Sequence, residues 1–155
     1  MQSLSCLDEV VGSNLSGIAR ILYEFDGENE PDDGALELRT EGFIVLLDGS
    51  SDGESLRVRK AAWKDPFGEP LSPDNERYVR EHGRWRRVDC SDLENYSDFV
   101  GREVTEFRTL INEHGRIAGL RLSVPGRTMW FVVQGDECHV RWTHPIGFTE
   151  GRLPG

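Results

Sequence analysis

Two short apolar runs constrain this chain more than any other feature. FIVLL (Phe43 to Leu47) and TMWFVV (Thr128 to Val133) are nearly unbroken by polar residues and too short to be buried helices. A strand that is apolar on both faces belongs in the interior of a sheet covered on either side. Each run follows a glycine, Gly42 or Gly126, and leads through a Gly-containing turn into a strand with alternate apolar residues. In SLRVR these are Leu56 and Val58; in ECHVR they are Cys138 and Val140.

The flanking order repeats as well. LDEVVG closes on Gly12 and YSDFVG on Gly101, and the strands LSGIARILY and EVTEFRTLI follow as counterparts. ALELR (Ala35 to Arg39) matches GLRLS (Gly119 to Ser123) at an offset of 84 positions, the same offset that separates Gly42 from Gly126. Past the next turn the offset is 82, because the later hairpin is two residues shorter. Alternation is common to all meanders, but glycine is placed by backbone need, so the shared glycines carry the comparison. The sequence therefore predicts a mainly β fold built by internal duplication, with two tandem antiparallel four-strand meanders over about 7–59 and 96–142. They would pack as a sandwich or a partly closed barrel around FIVLL and TMWFVV.

Residues 60–95 connect the halves. Ser72-Pro73 opens a short helix in DNERYVREH, with serine as N-cap, proline at the first position and Gly83 at the end. RWRRVDC reads as a strand anchored by Trp85 and Val88. The 155 residues fit one domain, 1–155, able to bury a core without a metal or a disulfide. Cys6, Cys90 and Cys138 are odd in number and form no C-x-x-C pair, which points to a reducing compartment. MQSLSCLDEVVG has neither the basic start nor the apolar run of a signal peptide, and no stretch approaches the roughly 18 apolar residues of a membrane span. The expectation is a cytoplasmic protein.

A net charge of −10 argues against nucleic acid or an anionic membrane as partner and favours a basic protein. The densest acidic stretch is YEFDGENEPDDG, with Glu24, Asp26, Glu28, Glu30, Asp32 and Asp33. As a calcium loop it fails, because Pro31 stands where a sharp glycine turn is needed and no glutamate closes twelve residues. It is either a solvated hairpin loop or a docking surface that steers a basic partner. In AAWKDPFGEP, Trp63 and Phe67 form a candidate exposed aromatic pair for the same partner.

GDECHVRWTHP gathers Asp136, His139 and His144. Acid–base chemistry there requires both imidazoles on one pocket. No H-E-x-x-H or C-x-x-C spacing supplies a zinc site, so neither a metal nor another cofactor is expected. Cys138 faces inward with nothing nearby to lower its pKa. GRWRRV mixes arginines with Trp85, but on an acidic chain it reads as a salt-bridged strand face rather than a nucleic-acid patch.

The order of a turn ending in glycine, a strand, an alternating strand, a glycine, an apolar strand and a returning strand resembles small acidic bacterial domains of unknown function. These include immunity proteins that neutralise polymorphic toxins. The resemblance covers Leu7 to Arg59 and Tyr96 to Trp142 and brings no catalytic or binding motif. With the charge and size it implies a stoichiometric, non-enzymatic binding protein, monomer or homodimer, that masks a basic surface of a partner such as a toxin. Two alternatives remain open: a small hydrolase or nuclease using His139 and His144 with Asp136, and a small-ligand module at the junction of the halves.

Overall fold

A computed structural model of the chain describes residues 4–29 and 32–154. In chain order it contains a short helix α1 (Cys6–Val10) and strands β1 (Leu15–Phe25), β2 (Glu28–Asn29), β3 (Leu36–Thr40), β4 (Ile44–Gly49) and β5 (Leu56–Arg59). Helix α2 (Pro73–His82), β6 (Arg84–Asp89) and a 3-10 turn at Tyr96–Asp98 follow. The chain ends with β7 (Glu106–Ile111), β8 (Ile117–Val124), β9 (Arg127–Gln134), β10 (Glu137–Arg141) and β11 (Thr149–Gly151).

Among the described residues the fold is mainly β: two antiparallel sheets of six and five strands, two short helices and no closed barrel. β1-β3-β4-β5 and β7-β8-β9-β10 are meanders, as their alternation and turn glycines dictate. Each sheet also has strands beyond the four predicted. β6, the strand read from RWRRVDC, lies along β1 from Ala19 to Glu24, on the edge opposite β3, and the two-residue β2 pairs with the end of β1. β11 lies along the outer edge of β7. The sequence does not announce β11, because a three-residue edge strand is defined by its distant partner rather than by its own pattern.

Strand register matches between the sheets. Leu38 pairs with Val45 as Leu122 does with Met129, and Leu47 with Val58 as Phe131 does with Val140. In the first strands Ile18 pairs with Leu38 and Phe107 with Leu122, so the offset there is 89. Aligning LSGIARILY with EVTEFRTLI is thus wrong by one residue. A period of two does not fix absolute register, and a slip of one exchanges core and solvent faces.

The segments leading into β1 and β7 meet at an isolated Asn14–Glu103 bridge with matched bonds on both sides. Gly12 N–H donates to Val104 O at 2.8 Å and Gly101 N–H to Leu15 O at 2.7 Å; Leu15 N–H donates to Arg102 O and Val104 N–H to Ser13 O. Gly12 and Gly101 hold φ of 90° and 80°, conformations that a side chain resists, which is why both turns end in glycine.

One core lies between the sheets. Leu36, Leu38, Val45 and Leu47 pack in a single cluster with Leu120, Leu122, Met129, Phe131 and Val133, joined by Leu7 and Val10 of α1 and by Phe99. The two-sided strands are also covered outside: Trp63 of the connecting segment packs on Ile21, Ala35 and Leu46, and Phe148 clusters with Leu110, Ala118 and Val132 beside Trp130. Helix α2 begins and ends as its sequence predicts. The Ser72 side chain accepts from Asn75 N–H at 3.2 Å, Pro73 opens the helix and Gly83 caps it at φ 78°. Among the described residues no helix is long and apolar enough to cross a membrane.

Candidate functional site

The acidic loop between β1 and β3 is largely taken up by the fold. Gly34 N–H donates to Cys138 O at 2.9 Å, Cys138 N–H to Asp33 Oδ1 at 2.9 Å and Val140 N–H to Asp32 Oδ1 at 3.2 Å, so the loop covers the outer edge of β10. Close approach requires Gly34, since a Cβ there would sit 1.7 Å from Ile21 O. Glu24 lies 3.6 Å from Arg86, Asp26 forms a turn at φ 56°, and Glu28 is exposed on β2. Glu30 lies outside the described residues.

Asp33 contributes to something further: with Asp48, Asp136, Trp63, Trp85 and Cys138 it lines a cavity of about 270 Å³. They come from five separate parts of the chain, Asp136 and Cys138 sharing one. Asp48 ends the outer face of β4, and Asp136 occupies the β9–β10 turn at φ 67°, a conformation aspartate tolerates. Trp63 is anchored by its backbone N–H, which donates to Glu37 Oε2 at 3.2 Å. Glu37 is 1% exposed and also accepts from Arg87 Nε at 2.8 Å, so its buried charge is paired. Trp85 meets Tyr23 edge to face, with ring centroids 5.4 Å apart.

Among the described residues the cavity lining holds three carboxylates and no lysine or arginine. Asp48 Oδ2 accepts from Arg57 at 3.1 Å just outside it. The field is felt by Cys138, whose thiol is pushed up to about 12 by burial and then by Asp48 and Asp33. A thiol so protonated is no nucleophile at neutral pH.

The sequence-selected residues therefore separate. Asp33, Asp136 and Trp63 come together, while Phe67 stacks at 5.8 Å with Tyr78 instead. His139 Nδ1 lies 3.1 Å from Asp32 O and Nε2 3.2 Å from Glu137 Oε1. His144 Nε2 lies 3.2 Å from Phe148 O, beside Trp130. Among the described residues the two imidazoles share no partner. Among the described residues, no group of three or more His, Cys, Asp or Glu is arranged to hold a metal. Asp48 and Trp85 were missed as site residues. The repeat itself carried a signal for Asp48: the offset of 84 sets it against Val132, an aspartate where the other half has an apolar residue.

A second cavity, of about 470 Å³, lies where the halves and the connecting segment meet. Its floor is Arg20, 2% exposed in the middle of β1. Arg20 Nη1 donates to Asp32 Oδ1 at 3.0 Å and to Tyr96 Oη at 3.1 Å, Nη2 to Gly34 O at 3.0 Å and to Cys138 O at 3.3 Å, and Nε to Ala35 O at 3.3 Å. Such a buried guanidinium is tolerable because every face of the fork has an acceptor. Burial alone would raise the Asp32 carboxyl, but bonds from Arg20, Val140 N–H and Arg141 outweigh it and hold the group below its ordinary value.

Compared with models of known protein families, with curated proteins and with solved structures, the chain finds no match.

Proposed function

We propose that the protein is a non-catalytic binding protein that masks a basic surface of a partner protein, as an immunity protein does with its toxin, and that the acidic cavity receives a lysine or arginine side chain of that partner. The observation that carries this reading is the cavity lining: Asp33, Asp48 and Asp136 with two indoles and no cation. A cation over a tryptophan face gains from the ring quadrupole, and more when partly desolvated. Carboxylates around it add attraction, and the overall charge of −10 speeds the encounter. Stoichiometric masking in a reducing cytoplasm fits the same picture, as does descent of the two register-matched sheets, packed as a sandwich, from one duplicated unit.

The test uses a short arginine-containing peptide and the same peptide with citrulline, followed by tryptophan fluorescence at several salt concentrations. The arginine peptide is expected to bind saturably, to weaken as salt rises and to lose about tenfold or more in affinity in Asp48→Asn/Asp136→Asn. Equal binding of the citrulline peptide, or an unchanged double variant, overturns the reading.

A further inference from the structure

The cavity of about 470 Å³ above Arg20 is a different kind of site. Its walls are apolar, with Leu22 of β1, Val88 of β6, Leu93, Val140 of β10 and Trp142, and its volume falls within the roughly 300–1,000 Å³ of small-molecule sites. Polar groups enter at one place, where Arg20, Asp32, Tyr96 and Arg141 meet.

The hydrogen-bonding capacity left over in that group is one-sided. Both Asp32 carboxylate oxygens are occupied, Oδ1 by Arg20 and Val140 N–H and Oδ2 by Arg141 Nη1 at 2.6 Å. Tyr96 Oη accepts from Arg20, which leaves its own proton to donate. Arg141 uses Nη1 for Asp32 and for Val140 O, and its Nε and Nη2 have no acceptor among the described residues. The cavity thus offers more free donors than free acceptors among the described residues. Among the described lining residues, two guanidiniums against one carboxylate give it a local charge of one positive unit on a strongly acidic chain.

We propose that this cavity binds a small monocarboxylate with an apolar body, its carboxylate between Arg141 and the Tyr96 hydroxyl and its body along Leu22, Val88 and Trp142. A neutral apolar ligand would leave those donors unanswered, and a multiply charged phosphate would exceed the single uncompensated positive charge. Planar donors of one arginine suit a carboxylate by geometry as well as charge. The site is distinct from the acidic cavity, with which it shares no lining residue among the described residues.

The experiment is calorimetric titration of the intact protein with octanoate, octan-1-ol and inorganic phosphate. Octanoate is expected to bind saturably, octanol and phosphate at least about tenfold more weakly, and Arg141→Gln to weaken octanoate by about tenfold or more. Leu93 is 50% exposed at the cavity rim, so Leu93→Trp should fold normally and weaken octanoate binding by narrowing the space. Absence of saturable octanoate binding, octanol or phosphate binding equally well, or unchanged affinity in either folded variant overturns the proposal.

Discussion

The outer faces of the two sheets are built on one plan and finished differently. On the second sheet Leu110, Val132 and Phe148 close a buried apolar cluster. On the first, Ile21 stands where Leu110 does and Trp63 provides the cover, but Asp48 occupies the register position of Val132: Asp48 pairs with Arg57 of β5, and Val132 with His139 of β10. A methyl-lined floor lets the cover seal; a carboxylate must stay hydrated or paired, and an acidic cavity opens beside it. A second contrast lies on the inner faces, where buried Arg20 of β1 corresponds to buried Thr109 of β7. In both places the first half has charge where the second has a packed or neutral group.

The largest effect is expected from moving the acidic residue across. Val132→Asp places an unpaired carboxylate in a cluster where Val132 is 2% exposed, and should cost about 4 kcal/mol or more in urea unfolding. A loss under about 1 kcal/mol would show that the second face is no more sealed than the first.

Next in size is the inner contrast. Arg20→Leu takes from Asp32 its buried partner, leaving it Val140 N–H and Arg141, and removes the guanidinium bonds to the carbonyls of Gly34, Ala35 and Cys138, of which Ala35 and Cys138 each keep a backbone donor; the loss should be about 2–4 kcal/mol. Thr109→Val removes only the weak 3.5 Å bond to Arg152 O and should cost about 1 kcal/mol or less. The acid limb gives a second readout. The folded Asp32 carboxyl titrates below its unfolded value of about 3.9, so its contribution is present above that pH and lost as pH falls through the folded value. Arg20→Leu should flatten that part of the stability–pH curve. Equal costs at positions 20 and 109 would remove the distinction between the halves.

These contrasts also mark the limit of what the chain discloses by itself. FIVLL, TMWFVV, the paired glycines and the Ser72-Pro73 cap were legible because periodicity, positive φ and capping are local. The acidic loop reads as free because nothing in its sequence records that Asp32 and Asp33 will bond the backbone of β10, more than a hundred residues away. Arg20 passes as one polar residue in a strand, although an arginine inside IARILY already asks for buried acceptors. Trp63 and Asp136 could be selected as unusual, but not as neighbours, since distant segments meet only when both sheets have formed.

The smallest change in stability, and the sharpest in function, is expected from the reverse exchange, Asp48→Val. Valine suits a strand and repeats the apolar floor of the second sheet. The substitution removes the partly exposed Asp48–Arg57 pair, worth about 1 kcal/mol at most, and relieves the crowding of Asp48 with Asp33 near Cys138. Net stability should stay within about 1 kcal/mol of the parent in urea unfolding. Burial keeps the Cys138 thiol raised, but with one of its two acidic neighbours gone it should titrate below its present value of about 12, which thiolate absorbance can follow. The arginine peptide should bind far more weakly, because the cavity loses one of three carboxylates. A variant that keeps full peptide affinity while its thiol shifts would mean that Asp48 shapes the field at Cys138 without serving the cation. One destabilised by more than about 2 kcal/mol would make Asp48 a structural residue, and the difference between the faces a matter of packing alone.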